Sequence, residues 1–151
     1  MSIVKKIQDE KANTASAQRT VAFNYLFDNA VDKVQDGKFY LFEYNPKYKL
    51  QLKHWDKYPM VLVLELYEDG FIGANLHYTT PKARMLFVQK FLNKSARVPV
   101  KLIHRYIVDR ADNIFFEIPE KELVQFAALP IEQFYDSKNR FVSAKKIQAS
   151  K

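Results

Sequence analysis

Apolar side chains recur at helical spacing through Val21, Tyr25, Leu26, Val31 and Val34, so residues 2 to about 36 read as helical, with Ser2 a candidate cap. Polar Asn13, Thr14 and Ser16 interrupt this pattern, predicting two helices or an arm followed by a helix. Gly37 is the expected stop, because glycine tolerates the left-handed backbone that ends helices. The period then changes to two. Phe39, Leu41 and Glu43 alternate with Tyr40, Phe42 and Tyr44 as in a half-buried strand, which Asn45-Pro46 ends. After a loop from Pro46 to Pro59, the run Met60 to Tyr67 reads as a central strand. Glu68-Asp69-Gly70 is a hairpin turn, and Phe71 to Tyr78 should return antiparallel. Gly70 and Gly73 in the returning segment suggest a bulge or sharp bend.

Thr80-Pro81 starts a helix running to about residue 93, with Met85, Val88 and Leu92 inward and Lys82, Lys90 and Lys94 outward. Leu102, Ile103, Tyr106 and Ile107 have the i, i+1, i+4, i+5 spacing of a second helix after Pro99. Ile114 to Ile118 reads as a strand, Pro119 opens a short helix, and Leu129 to Phe134 is extended or turn. Lys and Ser dominate beyond Ser137, so the chain should fray there. Strands interleaved with helices outside strict βαβ alternation give the α+β class. The expected architecture is a small, strongly bent antiparallel sheet or SH3-like half-barrel flanked by helices. Residues 1–36 would form a helical arm, 37–136 the core domain and 137–151 a basic flexible tail.

Composition fits one folded domain. The 151 residues hold 12 Phe, 9 Tyr and 1 Trp against 3 Gly and 6 Pro, which excludes a disordered or collagen-like chain. Absence of cysteine removes disulfide, thiolate-metal and cysteine-nucleophile chemistry and fits a reducing compartment. No apolar run approaches the ~20 residues of a membrane span, and the polar start lacks a signal core. The net charge of +7 is concentrated: residues 81–110 carry eight bases against one acid. Such clustering attracts phosphates or acidic partners.

Catalytic signatures are weak by comparison. His54, His77 and His104 lie too far apart for a compact metal motif, and His77 reads as a hydrogen-bonded, partly buried imidazole. Glu65, Glu68 and Asp69 read as solvated turn charges. Three glycines leave no room for a phosphate-cradling glycine loop. We therefore expect no catalytic residue, metal, cofactor or small-molecule substrate. Binding chemistry is better represented. The loop after Pro46 interleaves Lys47, Lys49, Lys53 and Lys57 with Trp55 and other aromatics, a combination suited to phosphates and stacked bases. Its plainer reading makes Trp55 and Tyr58 anchors for a loop whose lysines stay wet. Lys82, Lys90, Lys94, Arg97, Lys101 and Arg105 would add a basic stripe across the two helices.

Three runs carry a family resemblance: Gly37-Lys38-Phe39-Tyr40-Leu41-Phe42-Glu43-Tyr44-Asn45-Pro46-Lys47, Trp55-Asp56-Lys57-Tyr58-Pro59, and Asp69-Gly70-Phe71-Ile72-Gly73-Ala74-Asn75-Leu76-His77-Tyr78. With Ile103-His104-Arg105-Tyr106 and Leu129-Pro130-Ile131-Glu132-Gln133-Phe134, they resemble a small protein of T-even-like tailed bacteriophages across residues 37–135. The resemblance implies a non-enzymatic virion or assembly component of the tail, baseplate or head-tail region. Its partners would be other phage structural proteins, and it would reside in the host cytoplasm or the particle. The alternative expectation is a basic DNA- or RNA-binding protein using the aromatic-lysine loop and the basic helical face. A ribonuclease on an SH3-like barrel is disfavoured, because residues 38–80 contain no arginine to face a cleaved phosphodiester.

Overall fold

Phe39 to Phe42 are buried at all four positions. Successive strand side chains point to opposite faces, so the sheet that holds them is covered on both sides. The computed structural model describes residues 2–46, 48–108 and 114–149. Its elements are α1 (Ile3–Asp9), α2 (Ala15–Tyr25), β1 (Ala30–Val31), β2 (Phe39–Phe42), β3 (His54–Asp56), β4 (Met60–Tyr67), β5 (Gly70–Asn75), α3 (Pro81–Leu92), β6 (Ile103–Ile107), β7 (Phe115–Glu117), α4 (Leu123–Ala127), β8 (Phe134–Asp136), β9 (Phe141–Val142) and α5 (Ala144–Gln148). Six strands form one sheet in the order β1-β7-β2-β4-β5-β6, and β3-β8-β9 form a second. All pairings are antiparallel.

One face of the large sheet presents Phe39, Leu41, Leu62 and Ala74 to a core shared with Ile7, Ala22, Leu26, Val88 and Phe126 of the helical layer. The opposite face gathers Tyr40, Phe42, Val63, Phe71, Tyr106 and Phe115. This second cluster exists because the sheet curls. Phe71 and Phe115 have ring centroids 6.0 Å apart, and Phe42 and Tyr106 are at 5.8 Å. In each case two strands intervene, a separation of about 14 Å in a flat sheet. Two local features accompany the curl. The β4–β5 register shifts between Val63 and Glu65, and a Cβ on Gly73 would lie 2.2 Å from Val61 Cγ1. The expected α+β class with a strongly bent antiparallel sheet is observed, and the sheet stays open, with β1 and β6 at its edges.

Several boundaries differ from the sequence reading. Residues 103–107 form β6 instead of a helix. Ile103 and Ile107 are β-branched, and Tyr106 pairs with Phe71 and stacks on it at 5.3 Å, so packing in the aromatic cluster overrides an ambiguous spacing. The N-terminal helical pattern ends at Tyr25. Beyond it, Ala30 and Val31 pair with β7, drawing the chain into the sheet. α1 and α2, expected within an arm, place Ile3, Ile7, Val21 and Ala22 in the same core as β2. The segment from residue 137 holds β9 and α5 over its described part, and buried Ile147 anchors it.

The inner face of α3 is Arg84, Phe87 and Val88, rotated from the expected stripe, and Leu92 is left exposed. Arg84 is fully buried. Its guanidinium donates to the carbonyls of Leu76 (3.0 Å), Thr79 (2.9 Å), Ala127 (3.4 Å) and Leu129 (3.2 Å) and pairs with Glu132. One side chain thus ties α3, the end of β5 and the segment after α4 together.

Candidate nucleic-acid interface

The loop after β2 returns to the protein body through β3. Trp55 pairs with Tyr135 of β8 and stacks on it, with centroids 5.0 Å apart at 29°. The indole Nε1 donates to the Asp136 carbonyl at 3.2 Å, leaving Trp55 only 6% exposed. The plainer sequence reading of Trp55 as an anchor therefore describes its contacts. Its ring still forms part of a cleft wall.

Asp56 holds the next turn. Its Oδ1 accepts from the backbone N–H groups of Tyr58 and Gln133, both at 3.1 Å. Its Oδ2 accepts from Asn75 Nδ2 at 3.0 Å and lies 2.7 Å from His77 Nδ1. Burial alone would raise the Asp56 carboxyl, but His77, Asn75 and the Gln133 amide outweigh it and hold the carboxyl below its ordinary value. His77 is fully buried, deeper than the expected partly buried imidazole, and its Nε2 has no hydrogen-bond partner among the described residues.

These constraints shape an open cleft of about 1030 Å³. Aromatic rings from five parts of the fold line it: Phe23 on α2, Tyr44 after β2, Trp55 and Tyr58 around β3, Phe116 on β7 and Tyr135 on β8. Tyr44 and Trp55 are buried, whereas Phe23, Tyr58, Phe116 and Tyr135 are half-buried. Burial pushes the Tyr44 phenol up to about 12, so it stays neutral at physiological pH. Cations stand over these rings: Lys49 Nζ is 5.2 Å from the Trp55 centroid, Lys57 Nζ 5.6 Å from Tyr58, and the Arg19 guanidinium carbon 4.3 Å from Tyr58. Arg19 is fixed by donating to the Ile131 carbonyl at 2.9 Å. Glu43 lines the cleft too and lies 3.8 Å from Lys57.

The predicted binding residues thus separate into groups. Lys49, Trp55 and Lys57 come together in the cleft. Lys53 is exposed in the turn before β3, and Lys47 lies outside the described residues. Lys82 and Lys90 are exposed on α3, with Lys94 and Arg97 exposed just beyond it. Lys101 donates to the Gln148 carbonyl at 3.1 Å, and Arg105 on β6 pairs with Asp69 at 2.9 Å. With residues 103–107 in a strand, the two-helix stripe is not formed. Glu65, Glu68 and Asp69 are exposed around the β4–β5 hairpin, in keeping with turn charges.

The sequence reading missed Arg19, the Asp56–Asn75–His77 network and the contributions of Phe23, Phe116 and Tyr135. One signal was available: Asp56 is the lone acid in a loop with four lysines, as expected of a carboxylate committed to internal partners.

Fold and site together define an α+β protein with a cation-lined aromatic cleft at one end of a curled, open sheet. Residues 2–101 match the family described as the phage T4 terminal DNA protecting protein, and the chain belongs to that family. The match meets the expectation of a T-even-like phage family; it takes in α1 and α2 and ends at residue 101, before the last two of the runs that carried the resemblance. Comparison with curated proteins and with solved structures returned no match. Among the described residues, no helix is long and apolar enough to cross a membrane.

Proposed function

We propose that this chain is a DNA-binding phage protein that acts at DNA ends by occupying them, without cutting them, and that the cleft beside β3 and β8 is its contact surface. The observation that carries this reading is the set of cations held over aromatic rings, Lys49 on Trp55 and both Lys57 and Arg19 on Tyr58. Cations offer charge to phosphates and the rings offer stacking faces to bases. The family description, a protein that protects terminal DNA, supports the same reading.

Action without catalysis is supported by the state of Asp56 and His77, whose side chains are sealed from solvent and committed to holding the cleft loop. The alternative, a tail, baseplate or head-tail component working through protein contacts, draws only on phage membership. The family description favours DNA over it. The site of action is the host cytoplasm, or the particle if the protein remains on packaged DNA.

A challenge with a processive exonuclease tests the proposal. Linear duplex DNA incubated with the protein should be digested more slowly than bare DNA, and retention on linear DNA should exceed retention on a closed circle. Failure to bind linear DNA even at low salt would overturn it.

A further inference from the structure

The cleft has a chemistry that a closed duplex cannot satisfy. In paired DNA the base faces are stacked on one another and only their edges reach the grooves. Aromatic walls gain little from such edges and much from an exposed base face. At about 1030 Å³ the open cleft is just above the roughly 300–1,000 Å³ typical of small-ligand sites.

We propose that the cleft takes an unpaired DNA strand at a duplex terminus, with bases stacking on Tyr58 and Tyr135 and phosphates lying against Lys49 and Arg19. Both tyrosines line the cleft and are half-buried; Trp55 backs Tyr135, and a base entering on Tyr58 would share that ring with Arg19 and Lys57. Lys49, in the turn before β3, lines the cleft and stands over Trp55, and Arg19, on α2, stands over Tyr58 beside the lining. Asn45 and Asn139 add amide donors and acceptors to the wall for the edges of splayed bases. Lys57 is partly neutralised by Glu43 and contributes less. This inference rests on the DNA-binding reading and narrows it to one form of DNA.

The test uses the full chain and three DNA probes of equal duplex length: blunt, with a single-stranded overhang, and an overhang strand alone. Trp55 is the single tryptophan of the protein and forms part of the cleft wall, so its emission reports occupancy there. The overhang duplex should bind about tenfold or more tightly than the blunt one and quench Trp55 emission. Tyr58→Ala and Lys49→Glu should each weaken binding of the overhang duplex more than binding of the blunt one, cutting the preference between them at least about fivefold. Thermal melts of both variants establish that they fold. Because Lys49 is in a surface turn, that variant keeps the test decisive if the other is unstable. Equal binding of blunt and overhang probes, with Trp55 emission unchanged, would overturn this inference and leave the broader DNA-binding reading standing. No binding to any probe would overturn both.

Discussion

Oδ2 of Asp56 lies 2.7 Å from Nδ1 of His77, with both side chains sealed inside the protein, while the other oxygen of the same carboxylate holds the Tyr58 and Gln133 amides at the edge of the cleft. A buried polar network on the inner side thereby fixes the position of aromatic rings on the outer side. Such networks specify geometry only while every partner is present.

Asp56→Asn should therefore loosen the cleft and change the acid stability of the protein. The folded carboxyl is held below its unfolded value, so its stabilisation is complete above the ordinary carboxylate range. It is lost as pH falls through the folded value. Denaturant melts between pH 7 and pH 3 should show wild-type stability falling in acid, with the variant weaker at neutral pH and its acid limb flatter. Parallel curves would remove Asp56 from this role.

Arg84 is the second internal anchor. Arg84→Met would strand a buried Glu132 carboxylate and four backbone carbonyls, so a loss of about 3–5 kcal/mol is expected in chemical denaturation. Arg84→Lys keeps the charge without the guanidinium fork and should recover only part of it. A loss below about 1 kcal/mol would show that the neighbouring backbone is satisfied another way.

Gly73 permits the close approach of β4 and β5 in the curled sheet. Gly73→Ala places a methyl 2.2 Å from Val61 Cγ1 and 3.0 Å from the Leu62 carbonyl, and about 1–3 kcal/mol of destabilisation is expected. The cost should shrink in a Val61→Ala background, since the side-chain clash is then gone. Equal costs in the two backgrounds would show that the backbone contact dominates.

Much of this was legible in the chain. The strand at Phe39, the Asp-Gly hairpin and the Thr80-Pro81 start are local signals that the structure follows, but the alternation read as half-buried belongs to a strand covered on both faces. The spacing at 102–107 misled because Leu102, Ile103, Tyr106 and Ile107 suit a helix stripe as well as a strand whose tyrosine meets Phe71. Only long-range pairing decides between them. The lysine-aromatic loop was visible as a candidate, but Phe23, Phe116 and Tyr135 come from distant segments and carry no local mark of a shared cleft. Arg84 sits at a core-facing position of α3, and nothing near it in sequence discloses Glu132 as its partner.

Salt dependence distinguishes contact with phosphates from apolar adhesion. If Arg19 and Lys49 each meet a phosphate, with Lys57 contributing less, a log–log plot of affinity against salt should have a slope between about −1 and −2. Lys49→Ala should reduce its magnitude by just under one. A flat plot would contradict the electrostatic part of the interface.

Photo-crosslinking of the full chain to an overhang duplex, followed by peptide mapping, tests most directly whether the cleft is where DNA lies. Crosslinks on the peptides carrying Tyr58 and Tyr135 are the predicted result. Crosslinks confined to Lys82, Lys90 and the segment through Arg97, with the cleft peptides unmodified, would contradict the account.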